Sequence, residues 1–354
     1  MGKKYLALVL LTAILAGCAS APTATSTATV THTLTPTNTS TPLPTSTATA
    51  TATPTMTPTP VGGSIGKIVF LRNKLLEGNY EIHNIFLFDL ITQEETQLTK
   101  SESANSDYYY PRISPDGTKI VYTLFINYGN GAQLFMMDID GENIQKVSPV
   151  PMYKGSKNVE DLLSDVLPAW SPDGKSIVFA SNRHYLSEYS QDIEIFTINL
   201  ETFEIKQLTN GNGSSSHPWY SPDGQSITFM SNRDGNWHVY MMDKDGKNVK
   251  RLTSGTFSDR FPKWSNDGEN IIFHSDRDGN LELYRYNIIG KSSIRLTTDP
   301  ATDATASFSP DNSWIVFHSD RAGNDDLYIM NLLTKEIRRI TETEGIESLA
   351  DWAR

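Results

Sequence analysis

Several ionisable residues recur at one place in a repeated pattern, where they could bind a positively charged ligand. Each lies shortly before a segment that reads as the first strand of a repeated unit, so the units would gather them around one channel mouth. An acidic ring of this kind could hold Ca²⁺, another divalent ion or a cationic group. The alternative, which the sequence favours, is that the carboxylates cap local turns. The residues are Asp107, Asp165, His217, Asp259 with Arg260, Asp303 and Glu347.

A turn motif marks the repeated unit. Ser-Pro-Asp-Gly stands at 114–117, 171–174 and 221–224, and it returns as Ser-Asn-Asp-Gly at 265–268 and Ser-Pro-Asp-Asn at 309–312. The last three motifs begin 44 residues apart, at Ser221, Ser265 and Ser309. A period of this size indicates stacked supersecondary units.

Each unit reads as four short strands, named A to D. In one unit these are Pro168–Ser171, Ser176–Ser181, Ile193–Ile198 and Glu204–Thr209, with turn residues between them. Four antiparallel strands per repeat form one propeller blade. The predicted fold is therefore all-β, a six-bladed β-propeller.

The first blade lacks an A strand of its own. Gly66–Phe70 matches strand B, whereas Ala350–Trp352 at the other end of the chain matches strand A. We therefore expect the C-terminal strand to complete the first blade and to close the ring, which leaves no open sheet edge between blades. The other five A strands are predicted to begin near Pro111, Pro168, Pro218, Pro262 and Ala306.

The N-terminal region predicts a lipid anchor. Lys3 and Lys4 precede the apolar run Leu6–Leu15, and Leu-Ala-Gly-Cys follows, with Cys18 as the only cysteine. This pattern is typical of a bacterial lipoprotein signal, in which Cys18 is acylated. The expected organisation is a signal over 1–18, a disordered Thr/Pro-rich tether over 19–62 and the propeller over 63–354. The chain would be anchored to the bacterial membrane on its extracellular or periplasmic side.

Charge narrows the class of partner. With Lys3 and Lys4 set aside, 28 basic residues stand against 41 acidic ones, a net charge of −13. This balance argues against nucleic acid, anionic headgroups and polyanionic sugars. We expect a monomer that meets the membrane only through its lipid anchor and binds an envelope protein or glycan.

The repeats resemble those of the TolB C-terminal β-propeller. The resemblance lies in Pro-x-Trp-Ser-Pro-Asp-Gly, Ile-x-Phe-x-Ser-x-Arg-Asp-Gly-Asn, Tyr-x-Met-Asp-x-Asp-Gly and Leu-Thr, seen together at Pro262–Gly268, Ile271–Asn280 and Leu296-Thr297. It extends over residues 66–354 and implies a propeller that works in the cell envelope. TolB carries an α/β domain before its propeller, whereas this chain has the Thr/Pro-rich tether there.

Segment lengths indicate which face binds a partner. The A–B and C–D connections keep constant lengths, whereas the B–C and D–A connections are longer in blades one to three. In an up-and-down blade these two connections emerge on one face, and variable loops on a rigid scaffold often carry function. The predicted rim comprises Arg72–Asn79, Thr123–Ala132, Ser148–Leu167 and His184–Asp192, with Tyr128, Tyr153, Tyr185 and Tyr189 as candidate ligand-binding residues. Neutral drift at a permissive face is the alternative.

An enzyme is the second functional class considered. His217, His274 and His318 could bind a metal at the channel mouth, as in propeller-type polysaccharide lyases or hydrolases, although packed histidines explain them better. No zinc-protease helix motif or phosphate-loop motif occurs. Arg183, Arg233, Arg277 and Arg321 are expected to pair with nearby acidic groups. We predict a non-catalytic binding propeller without a cofactor.

Overall fold

The computed structural model describes residues 66–76, 80–101, 106–126, 131–149, 163–183, 192–211 and 213–353. Cys18, the predicted tether and the tyrosines at 128, 153, 185 and 189 lie outside these residues. Within the described ranges, the structure contains no helix that is long and apolar enough to cross a membrane.

The part of the chain that the structure describes forms six four-stranded antiparallel sheets, and each sheet is one blade. Blades 1 to 3 contain the first eleven strands and the last one. Blade 1 consists of β1 (Lys67–Leu76), β2 (Tyr80–Asp89), β3 (Glu95–Gln97) and the C-terminal strand β24 (Glu347–Ala353); blade 2 of β4 (Ser106–Ile113), β5 (Lys119–Ile126), β6 (Gly131–Asp138) and β7 (Gln145–Lys146); blade 3 of β8 (Asp165–Trp170), β9 (Ser176–Ser181), β10 (Glu194–Asn199) and β11 (Ile205–Gln207).

Blades 4 to 6 repeat the same order without interruption. Blade 4 consists of β12 (Ser215–Tyr220), β13 (Ser226–Ser231), β14 (His238–Asp243) and β15 (Lys250–Arg251); blade 5 of β16 (Asp259–Trp264), β17 (Asn270–Ser275), β18 (Glu282–Asn287) and β19 (Ser292–Arg295); blade 6 of β20 (Asp303–Phe308), β21 (Trp314–Ser319), β22 (Asp326–Asn331) and β23 (Ile337–Arg339). The all-β, six-bladed prediction is confirmed.

The C-terminal strand closes the ring as predicted. β24 pairs with β1 in antiparallel register, with Ile68 opposite Trp352 and Arg72 opposite Glu347. Trp352 packs with Ile68 and with Trp314 of blade 6, so closure also buries an inter-blade core. A Cβ on Gly66 would lie only 2.4 Å from the carbonyl oxygen of Ala353, which explains why the chain enters blade 1 at a glycine.

The repeated turn motif builds the A–B hairpins. In blade 3 the Ser171 hydroxyl donates to Asp173, whose carboxylate also accepts from the backbone N–H of Lys175. Gly174 follows in the left-handed region with φ of 69°. All five contiguous A–B turns have the same length, over 114–118, 171–175, 221–225, 265–269 and 309–313.

Every A strand contains a β-bulge, which corrects the predicted strand starts. The strands begin at Ser106, Asp165, Ser215, Asp259 and Asp303, three to five residues before the predicted positions. A residue in the left-handed region interrupts the register of each A strand: Tyr110, Leu167, His217, Phe261, Thr305 and Leu349, with φ between 49° and 59°. The proline that follows four of them needs no ladder N–H, because it lies inside the bulge.

The blades have two distinct faces. We call the face with the A–B and C–D turns the hairpin face, and the one with the B–C and D–A connections the connection face. Contacts confirm that B–C and D–A connections lie together, since Asn280 donates to the carbonyls of Asp299 and Ala301. Leu90 in a C–D turn donates to the carbonyl of Gly66, so the chain enters blade 1 on the hairpin face.

Much of the extra length predicted as loops in blades 1 and 2 forms longer strands instead. β1 and β2 have 10 residues each, and β5 and β6 have 8, against 6 in the equivalent strands of blades 3 to 6. The predicted rim segments Arg72–Asn79 and Thr123–Ala132 are therefore largely extended B–C hairpins on the connection face. The backbone pairing continues there, with Lys74 opposite Ile82 and Phe125 opposite Ala132, so the added residues lengthen the ladder.

Candidate functional site

Four of the predicted site carboxylates occupy equivalent positions. Asp165, Asp259, Asp303 and Glu347 are the first residues of their A strands, and all four are 0% exposed. Their spacing in the sequence predicts that they lie in the crossings that precede strand A. The structure corrects this assignment, because the bulge lengthens each A strand toward its N-terminus.

An arginine of the same blade neutralises each of these carboxylates. Arg183 contacts Asp165 at 2.6 Å, Arg277 contacts Asp259 at 2.7 Å, and Arg321 contacts both oxygens of Asp303 at 2.7 and 2.8 Å. In blade 1, Arg72 lies between Glu347 at 2.6 Å and Glu95 at 2.5 Å. Each of the four carboxylates therefore belongs to a buried ion pair. This arrangement replaces both the open acidic ring and the turn caps that the sequence suggested.

The arginines also stack on aromatic side chains. The guanidinium carbon of Arg321 lies 5.5 Å from the ring centre of Phe317 and 4.9 Å from that of Tyr328. Arg233 stacks in the same way, 5.4 Å from Phe229 and 5.1 Å from Tyr240. Aromatic faces attract a cation, so the ring pair holds the guanidinium over the end of the A strand.

Blades 2 and 4 lack the pair between an arginine and a carboxylate at the start of strand A. In blade 4, Ser215 takes the place of the carboxylate, and Arg233 donates to its hydroxyl at 3.1 Å. In blade 2 the equivalent residue is Tyr108, which lies opposite Leu124 as Asp165 lies opposite Ser181. Asp107 precedes it by one residue and accepts from the backbone N–H of His83 at 2.6 Å. The prediction from the sequence that Asp107 and His217 are equivalent to the four carboxylates is therefore wrong.

His217 instead belongs to a layer of side chains that fills the central axis. The layer consists of the six left-handed residues of the A strands, all of them buried. The rings of Tyr110 in blade 2 and His217 in blade 4 lie 6.0 Å apart although a blade separates them, and Phe261 lies 3.8 Å from His217. Because these rings meet across the axis, they plug the channel.

A second, charged layer lies two residues further along the A strands. Lys263 lies 3.5 Å from the Asp351 carboxylate, donates to the carbonyl of Ala350 at 3.0 Å, and stands 4.9 Å from the ring centre of Trp219. Asp351 also accepts from the Ser307 hydroxyl at 3.2 Å. Burial, with a smaller effect of Arg112, lowers the pKa of Lys263 to about 7. The closing strand thus carries the carboxylate that this layer shares between blades.

The three histidines considered as metal ligands are packed side chains. His274 accepts from the backbone N–H of Thr305 at 3.3 Å, and His318 contacts the Thr305 hydroxyl at 2.5 Å. Burial lowers the pKa of His217, His274 and His318, which favours neutral rings. Among the residues that the structure describes, no group of three or more His, Cys, Asp or Glu side chains could hold a metal ion.

Arg260 stands in the sequence between Asp259, one of the paired carboxylates, and Phe261, which belongs to the layer that fills the channel. It is the second residue of its A strand, opposite His274, and its charge helps to lower the pKa of that histidine and of His217.

The layers that fill the channel were not predicted from the sequence, although one signal was present. The left-handed residue stands three positions before the aromatic or aliphatic residue that ends strand A, usually ahead of proline.

Fold and channel together define a six-bladed propeller with a filled axis and one elaborated face. The TolB beta propeller domain matches residues 163–273 and 255–354, more than half of the chain, so the chain belongs to this family. TolB from Acinetobacter baumannii is similar over 81% of this chain and 66% of its own, with 22% identity and a TM-score of 0.66. A putative TolB from Agrobacterium tumefaciens is similar over 80% of this chain and 91% of its own, with 21% identity and a TM-score of 0.59.

A curated relative is similar over a shorter stretch. The uncharacterized peptidase YuxL of Bacillus subtilis is 33% identical over 95 residues, which is 27% of this chain. The matched stretch covers 12% of YuxL. The solved TolB structures, at under 25% identity, show the fold.

Proposed function

We propose that this chain is a non-catalytic binding propeller of the cell envelope, held at a membrane through acylated Cys18, that binds a protein or glycan on its connection face. The observation that carries the proposal is where the chain varies in length. The D–A connections over 208–214, 252–258, 296–302 and 340–346 are uniform, whereas 147–164 is much longer. The A–B turns do not vary, so elaboration is confined to the connection face.

The point of entry into the propeller supports this proposal. Gly66 lies on the hairpin face, where its carbonyl accepts from Leu90. The chain therefore enters the propeller from the hairpin face. An anchor at Cys18 would therefore leave the connection face free for a partner.

The channel favours recognition over chemistry. The four carboxylates that begin A strands are paired with arginines, and two layers of side chains fill the axis. General acid–base or metal chemistry would need a carboxylate or histidine that substrate can reach. We therefore place the proposed binding on the connection face, outside the channel, and no metal enters the proposal.

Replacing Tyr153–Glu160 tests the proposal. The full chain, tagged at its C-terminus, is used to capture partners from envelope extract and to probe a glycan array. A variant with Gly/Ser residues in place of Tyr153–Glu160 keeps the length of the connection and should lose capture at least tenfold, because the tyrosine and charged side chains are removed.

The matched control changes the other face. Phe203→Ser removes an aromatic side chain that is 56% exposed in the C–D turn of blade 3. It should retain full capture, with an unchanged melting temperature in both variants. Equal capture by all three proteins, or turnover of an envelope polymer by the full chain, would refute the proposed function.

A further inference from the structure

The tip residues of the C–D turns on the hairpin face differ between two halves of the propeller, although the turns of both halves expose other apolar side chains, such as Ile144 and Phe203. The second residue after strand C is the tip of each turn. In the consecutive blades 5, 6 and 1 this residue is aliphatic: Ile289, Leu333 and Ile91, which are 83%, 90% and 65% exposed. In blades 2, 3 and 4 it is acidic: Asp140, Glu201 and Asp245.

Packing does not require the aliphatic tips. The residue just before each tip, such as Leu90 or Leu332, packs against an inter-blade core. Leu200 does the same in blade 3, yet the tip that follows it is Glu201. The core thus accounts for the first residue of each pair and leaves the exposed second one unexplained.

Turn geometry does not require them either. Asp89 accepts from the backbone N–H of Ile91 at 2.8 Å, and Asn331 accepts from that of Leu333 at 2.9 Å. Asn199 accepts from Glu201 in the same way, at 2.9 Å. Blade 3 therefore forms the same turn with a carboxylate at the tip, and it serves as an internal control.

Cations accompany two of the three aliphatic tips, those of blades 5 and 6, although the propeller as a whole is strongly acidic. Lys291 and Lys335 each stand two residues beyond the tips of blades 5 and 6. Burial and the nearby Arg285 lower the pKa of Lys335, which places a second cation close to it. Exposed aliphatic side chains beside lysines and arginines are typical of surfaces that lie in a lipid headgroup region.

The chain enters the propeller beside the same tips. Gly66 is hydrogen-bonded to Leu90, the neighbour of Ile91, and blade 1 packs against blade 6 through Ile68 and Trp314. The chain therefore enters the propeller at the aliphatic half of the hairpin face. A segment that holds this chain near a membrane would present these tips to it at high local concentration.

We propose that the tips Ile91, Ile289 and Leu333, with Lys291 and Lys335, form a docking surface for a lipid bilayer that contains anionic headgroups. This contact would be additional to any lipid anchor, so it departs from the expectation, drawn from the net charge alone, that the chain meets a membrane only through that anchor. It would turn the loop-rich part of the connection face away from the bilayer. It involves no partner of the connection face, so it can fail while the proposed function holds, and the reverse.

Depth-dependent quenching tests this docking surface. The full chain is reconstituted into vesicles of phosphatidylethanolamine and phosphatidylglycerol that carry a spin-labelled lipid. A fluorophore is attached at Leu333→Cys, or at Phe203→Cys on the acidic half as the matched control. The chain without an added cysteine gives the background from Cys18. Quenching at Leu333→Cys should exceed that at Phe203→Cys at least fivefold.

A second variant separates the surface from a single side chain. Ile91→Asp with Ile289→Asp, in the Leu333→Cys chain, should reduce quenching to the level of the control, because the neighbouring tips share the contact. Equal quenching at both labelled positions, a chain that stays in the aqueous fraction, or quenching unaffected by the two aspartates would overturn the proposal. A different outcome is that the Leu333→Cys probe becomes buried as the protein concentration is raised and shows no response to lipid. That result would assign the surface to a second copy of the chain.

Discussion

Among single residues, Lys263 shows how a propeller can bury charge at its axis. Its neighbours Asp351 and Ala350 come from the closing strand, and burial lowers its pKa from 10.5 to about 7. Between these two values the unfolded chain binds a proton that the folded protein does not bind. The free energy of unfolding therefore rises with pH across that window, by at most about 1.4 kcal/mol per pH unit.

Lys263→Met should remove this pH dependence. We expect the free energy of unfolding of the wild type to increase relative to that of the variant as pH rises from 7 toward 10.5. Urea denaturation at several pH values across the window measures the difference. Lys175→Met, at a lysine that is 62% exposed, is the control and should run parallel to the wild type. A constant difference between wild type and Lys263→Met would contradict the prediction.

At the scale of the element, five of the six blades repeat one arrangement in which an arginine stacks on two rings and reaches the first residue of strand A. Blades 4 and 6 differ at that residue, since Arg233 meets Ser215 and Arg321 meets Asp303. Burial raises the pKa of Asp303, and Arg321 opposes that rise. Removing a partner from a buried ion pair leaves an uncompensated charge, whereas a serine loses one neutral hydrogen bond.

Arg321→Met should therefore cost more than Arg233→Met. We expect losses of about 3–5 kcal/mol and about 1 kcal/mol in the free energy of unfolding. Both variants lose the same ring contacts, so denaturant titration isolates the effect of Asp303. Adding Asp303→Ser to Arg321→Met should recover most of the difference. No recovery would mean that the loss comes from stacking alone.

The hairpins and blades could be predicted from the sequence, whereas the strand starts and the channel layers could not. Turn motifs such as Ser171–Gly174 are local, because their hydrogen bonds join residues at most five apart, so the hairpins and blade count were predicted correctly. The strand starts were wrong, because a proline such as Pro168 usually begins a strand and here lies within a bulge. The channel layers join residues from separate blades, such as Tyr110 and His217, and no local pattern reports that contact.

In the whole molecule, the C-terminal strand supports more than the first blade. Asp351 contacts Ser307 of blade 6, Lys263 of blade 5 and the backbone N–H of Ile113 in blade 2. Leu349 belongs to the layer that fills the axis and packs in one core with Tyr110 and Phe261. One strand thus contributes to interactions around the ring, and we expect the ring to unfold as a single unit.

Truncation after Gly345 should abolish the cooperative unfolding transition, because it removes β24 and opens both edges of the ring. Calorimetry of the truncated chain measures this loss. Moving residues 346–354 to the position just before Gly66 provides the control, since Ala353 and Gly66 already lie together. The rearranged chain should regain the transition. A truncated protein that melts like the wild type would contradict the role of closure.

The left-handed residues at the axis have one further consequence. Their backbone conformation, with φ between 49° and 59°, is one that glycine adopts without steric cost. Side chains can thus be exchanged or removed at the hub with no change in backbone geometry, and the loss is limited to the packing they provide. Successive replacement of these residues by smaller ones would therefore widen this layer of the channel stepwise while the blades keep their positions.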